Sequence, residues 1–204
     1  MDTFEEARKL LRDDFSGSLF PIADDVKIQI EFNPAVVSEY RLIGYETRML
    51  AREDFNNDQV DAGEVGSGVS VTALYEITPA GAAPSSDPLR YGAPASAASP
   101  AGEMAFLKVR WKAPGATTSQ LMQQAIPAGN TARDLATAPE ATRWAVAVAA
   151  FGQKLRGDPW LLDSFGWDQI LSLAQDARGR DEFGLRAEFV QLVRAAKDGR
   201  RQNE

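Results

Sequence analysis

The sequence predicts an α+β fold, with an antiparallel β-sandwich-like sheet first and a C-terminal three-helix unit after it. Three observations carry this prediction. Apolar residues alternate with polar ones in several short runs before residue 130. The period lengthens to that of a helix after about residue 137. Strand-type and helix-type segments are therefore grouped along the chain rather than interleaved, which separates α+β from α/β architectures.

The elements follow in order. Thr3 and Glu6 have the spacing of a capping box, and Phe4, Ala7, Leu11 and Phe15 fall on one face, so a short helix is expected near the start. Val26, Ile28, Ile30 and Phe32 alternate with Lys27, Gln29 and Glu31. That pattern predicts a half-buried strand with its apolar side turned inward, ended by Asn33-Pro34. A second strand is expected over Glu39–Leu50, with a bulge where its alternation slips at Gly44. A polar loop, Asp54–Gly68, precedes a strand marked by Val69, Val71, Ala73, Tyr75 and Ile77. Residues 78–102 are almost wholly Ala, Gly, Pro and Ser, a composition too poor in apolar surface to offset ordering entropy, and a mobile loop is expected there. Strands resume at Ala105–Trp111 and near Gln120–Ile126.

Three helices close the chain. The first has Pro139 in its opening turn, a stripe of Trp144, Val148, Phe151 and Leu155, and Gly157 as its stop. The second is expected over Trp167–Arg178, closed by Gly179, and the third over Glu182–Asp198, followed by Gly199. The domain scheme is thus residues 1–24 as a linker or helix, 25–130 as a β-rich subdomain, and 131–204 as a helical subdomain.

Composition removes whole classes of function. The 204 residues include no His and no Cys. Ser-His-Asp and Cys-His catalysis, disulfides and thiolate metal sites are therefore impossible. A net charge of -7 gives no broad attraction to nucleic acid or anionic lipid. The longest apolar run, Trp144–Phe151, is too short to span a bilayer, so no membrane insertion is expected. No cofactor is expected, and the chain is read as non-catalytic.

One loop carries candidate metal chemistry. Asp54, Asn56 and Asp58 place oxygen ligands at every second residue, as the opening of a calcium loop does, with Asp61 nearby. The remainder departs from that motif: Gln59 stands where a Gly is needed and Val65 where a bidentate Glu is needed. The competing explanation is an Asx-turn connection between strands. Gly63-x-x-Gly66-x-Gly68 lacks the Lys and the following helix of a phosphate loop. The pairs Glu5-Glu6, Asp13-Asp14 and Asp24-Asp25 read as solvated charge, because adjacent side chains diverge on strands and helices. Trp160 and Trp167 flank an apolar connection with Leu161, Leu162 and Phe165, expected to cap a small helical core.

Several stretches together resemble a family. They are Val26–Pro34, Tyr40–Glu46, Glu53–Glu64, Ala73–Ile77, Trp144–Phe151 and Arg186–Val190. They are similar to the uncharacterised C-terminal domain of bacterial von Willebrand factor A (VWA) proteins. The resemblance implies an upstream VWA domain in the same parent protein as the first partner, with the opening helix as the link to it. It also suggests an exported or envelope-associated parent. The implied role is an accessory, protein-interaction domain, and strands missing from the sheet would leave an open edge for a second copy to pair with. The alternative is a metal- or carbohydrate-binding module centred on Asp54–Glu64.

Overall fold

The computed structural model describes residues 20–44, 49–83, 86–87, 102–129, 131–162 and 165–201. The opening helix, the Tyr45-Glu46 stretch and the greater part of the Ala/Pro-rich loop lie outside the described residues. Antiparallel sheets are followed by three helices, so the fold is α+β. The described residues divide into two compact units, one ending at Thr131 and the other running from Ala132.

The first unit holds six strands: β1 (Pro21–Phe32), β2 (Val37–Ile43), β3 (Gly63–Gly66), β4 (Leu74–Pro79), β5 (Glu103–Lys112) and β6 (Gln120–Pro127). A four-stranded sheet has the order β3-β1-β5-β6, and β2 pairs with β4 in a separate two-stranded sheet. Phe32 joins the two: its ring lies 4.6 Å from that of Tyr40 on β2 and 5.3 Å from that of Tyr75 on β4.

Four expectations for this unit need correction. The first strand starts at Pro21, not Val26, because its register against β5 shifts between Asp24 and Lys27, where Asp25 takes a φ of 51°. A bulge therefore sits at Asp25 in β1, and the register of β2 against β4 shifts between Val37 and Glu39. Gly44, expected to form one, adopts a φ of 77° just after β2 ends, a conformation that glycine enters without penalty. Residues 69–73 are not strand, and Val69 and Val71 are 50% and 56% exposed. Strand β3 forms instead within the expected polar loop, pairing with the early part of β1. Its two glycines hide it from any propensity argument.

The second unit opens with a short 3-10 helix, Leu135–Thr137, held by a reciprocal cap between Asp134 and Thr137. Helices α1 (Glu140–Arg156), α2 (Trp167–Asp176) and α3 (Leu185–Arg201) follow. Pro139 is the residue before α1, and Gly157 closes it at a φ of 67°. Helix α3 begins three residues later than expected and runs through Gly199. The Asp181 carboxylate sets that start by accepting the Arg186 and Ala187 amides at 3.1 and 2.8 Å.

Ala147 and Ala150 of α1, Ile170 and Ala174 of α2, and Val190 and Val193 of α3 form the buried centre. Small residues let the backbones approach, and aromatic rings fill the flanks. Phe151 and Trp144 each meet Phe189 edge-on at 5.2 Å, and Phe151 meets Trp167 at 6.0 Å. Trp144 and Phe151 of the expected α1 stripe pack against this core, whereas Val148 and Leu155 are 42% and 50% exposed, because Ala147 and Ala150 turn inward instead. Leu161, Phe165 and Trp167 do cap this core, whereas Trp160 and Leu162 are exposed.

Candidate functional site

Cross-strand partners share a face of a sheet, so the register sorts β1, β5 and β6 into two sides. One side carries Lys27 opposite Arg110, and Arg110 opposite Leu121. The other carries Ile28 opposite Val109, and Val109 opposite Met122.

The cationic side is covered by the loop between β2 and β3. A 3-10 helix, Arg52–Asn56, drives Phe55 inward until it is only 3% exposed. Its turn presents backbone carbonyls to β1. The Lys27 ammonium donates to the Asp54 carbonyl at 3.3 Å and to the Asn57 carbonyl. Asn57 Oδ1 accepts the Gln59 amide at 3.0 Å, which is the Asx turn that the short polar side chains suggested. Next, Asp58 accepts Arg110 Nη2 at 3.1 Å and the Ser119 hydroxyl, while Lys112 Nζ donates to the Asp58 carbonyl at 2.9 Å. Lys112 also pairs with Asp25 at 2.5 Å, and Asp25 Oδ1 accepts the Ala62 amide at 3.2 Å.

The four candidate metal ligands are thus placed apart in role. Asp54 contributes a backbone carbonyl to Lys27. Asn56 Oδ1 accepts from Arg110 at 3.4 Å, and Asp58 is held by Arg110 and Ser119. Asp61 adds its negative charge near Lys112. Among the described residues no three acidic side chains converge as a metal site would require. Protein cations already stand where the loop oxygens meet. Asp24 and Asp25 diverge, Asp24 accepting the Gly115 amide at 3.2 Å while Asp25 faces Lys112. Glu5-Glu6 and Asp13-Asp14 lie outside the described residues.

The sequence reading did not single out Lys27, Arg110, Lys112 or Ser119. A signal was present: Lys108, Arg110 and Lys112 recur at the two-residue strand period, and the loop that follows β2 is rich in Asp and Asn.

This network sets a pH response. The hydrogen bond from Lys112 holds the Asp25 carboxyl below its ordinary 3.8, and the Ser119 hydroxyl does the same for Asp58 ahead of Arg110. Lys112 is raised above its ordinary 10.5 by Asp25. Carboxylates with depressed folded values stabilise the fold above the unfolded value and cease to as pH falls through the folded one. The raised Lys112 acts in the opposite sense: its contribution is complete below 10.5 and is lost as pH rises through its folded value. The loop anchor is therefore expected to be constant across neutral pH and to weaken in acid below 3.8. The Ala62 amide resonance should titrate with a midpoint below 3.8, and Asp25→Asn should abolish that titration. A midpoint above 3.8 would contradict the network.

The apolar side behaves differently along its length. At the Phe32 end, Tyr40 and Tyr75 lie against it. Two rows away Ile28 is 50% exposed and Met122 is 43% exposed. The alternation in β1 predicted Ile28 inside and Lys27 outside, and the structure reverses both, since Lys27 is 4% exposed. Carbonyls of the covering loop make burial of the ammonium tolerable, whereas among the described residues nothing comparable shields Ile28. Beyond Met122 the sheet ends: β6 has no strand on its outer side among the described residues.

Residues 17–198 match the family model described as the C-terminal part of the uncharacterised protein YfbK. A relative, the uncharacterised protein YfbK of Escherichia coli (strain K12), is 46% identical over 198 residues, covering 96% of this chain and 33% of its own length. The chain therefore spans about a third of the length of that relative. No solved structure matches it.

Proposed function

Because the chain belongs to the family of YfbK C-terminal domains, we propose that it is a non-catalytic accessory domain that docks onto the rest of a longer polypeptide, the VWA domain suggested by its sequence. The observation that carries this reading is the inverted burial in β1, where Ile28 stands exposed in the row Ile28–Val109–Met122 while the neighbouring Lys27 is enclosed. An apolar row left open on a sheet whose other end is covered supports a surface for another polypeptide. That the chain spans about a third of its relative's length supports a longer polypeptide as the partner. The absence of His and Cys from the sequence supports a binding role over a catalytic one.

Calorimetry tests the reading. The chain is titrated with the remainder of its parent polypeptide, expressed separately. Saturable binding is expected, and Ile28→Asp should weaken it by at least about tenfold, the factor that corresponds to 1.4 kcal/mol. Binding unchanged by Ile28→Asp, or no binding at all, would overturn the proposal. Because Ile28 is half exposed already, the substitution should leave the far-ultraviolet circular dichroism of the free chain unchanged.

A further inference from the structure

We propose that β6 is a self-pairing edge, through which two copies of this chain join their four-stranded sheets about a two-fold axis at Gln124. Open edges are ordinarily protected by charge, by shortness or by a bulge. Strand β6 has eight residues, Gln-Leu-Met-Gln-Gln-Ala-Ile-Pro, and no charged side chain. Against β5 its register is regular from Ala105↔Ile126 to Trp111↔Gln120. Such an edge accepts a second strand, and its uncharged sequence removes the like-charge opposition that a two-fold pairing would otherwise impose.

The apolar pattern selects the register. With Gln124 opposite its own copy, Met122 falls opposite Ile126 of the second copy, and Ile126 opposite its Met122. The apolar row Ile28–Val109–Met122 then continues directly into Ile126–Ala105–Phe32 of the second copy. Gln124 meets Gln124 on the axis, and each amide has both a donor and an acceptor to offer the other. Moving the axis to Gln123 would set Met122 against Gln124 and lose the apolar match. Edge pairing buries less surface than a standard protein interface, so the dimer is weak and its population depends on concentration.

The pairing extends the interaction-domain reading, and its test fails separately from that one. Sedimentation of the full chain should give a weight-average mass that climbs toward twice the chain mass as concentration rises. Gln124→Lys and Gln124→Glu should each remain at one chain mass, since each sets like charges on the axis. An equimolar mixture of the two variants should return to twice the chain mass. Gln124 is exposed, so both variants retain the fold, and recovery in the mixture verifies it. A wild-type chain that stays monomeric, a single variant that still dimerises, or a mixture that does not would each overturn the proposal. If the monomer still binds the rest of the parent through Ile28, the interaction-domain reading stands and only the self-pairing is lost.

Discussion

Truncating Phe55 to alanine is expected to destabilise the β unit by about 3–5 kcal/mol, the range for removing a buried aromatic ring. Phe55 is 3% exposed and is the buried residue of the 3-10 helix that contacts β1. Its loss does more than open a cavity. The same turn aims the Asp54 and Asn57 carbonyls at Lys27, so a loosened turn leaves an ammonium that is 4% exposed with poorer partners. An unmet buried polar group adds about 1–3 kcal/mol when nothing relaxes to meet it. Urea unfolding should show a lower midpoint with an unchanged slope. Hydrogen exchange should locate the damage in β1 and β5. A loss below about 1 kcal/mol, the level of an ordinary surface substitution or slightly above, would show that the loop is not anchored through this ring.

The order of elements was legible because it depends on periodicity, which the chain writes plainly in Val26–Phe32, Ala105–Trp111 and the three C-terminal helices. What escaped depended on contacts between distant residues. Strand β3 has a glycine at each end and is a strand because β1 pairs with it. The β1 bulge lies at Asp25, where Lys112 and the Ala62 amide hold that carboxylate. In the candidate site, the Asx turn at Asn57 is local and was readable. The cations that meet the loop were not, since Lys27 is 27 residues from Asp54 and Ser119 is 61 residues from Asp58. Alternation alone also misjudged which side of β1 is enclosed. A period of two tells that the sides differ, but the covering loop decides which is shielded.

The helical unit offers the second large effect. Ile170→Ala is expected to cost about 2–5 kcal/mol. Ile170 is fully buried in α2, clustered with Ala150 of α1 and Val193 of α3, and the rings of Phe151, Phe165, Trp167 and Phe189 pack around that cluster. The alanines beside it have no side-chain length with which to fill a void, so the cavity should persist and the cost should fall toward the upper end of that range. Leu155→Ala provides the contrast. The helical stripe read from the sequence would put Leu155 in the core, yet it is 50% exposed, and its truncation should change stability by no more than about 0.5 kcal/mol. Chemical denaturation of the two variants side by side separates the two orientations of α1. A loss at Leu155 equal to that at Ile170 would place Val148 and Leu155 on the buried face beside Trp144 and Phe151. A large loss at Ile170 with almost none at Leu155 is what a core built on Ala147 and Ala150 requires, because helices that meet through alanine rely on the larger side chains opposite, Ile170 and Val193, to fill the space between them.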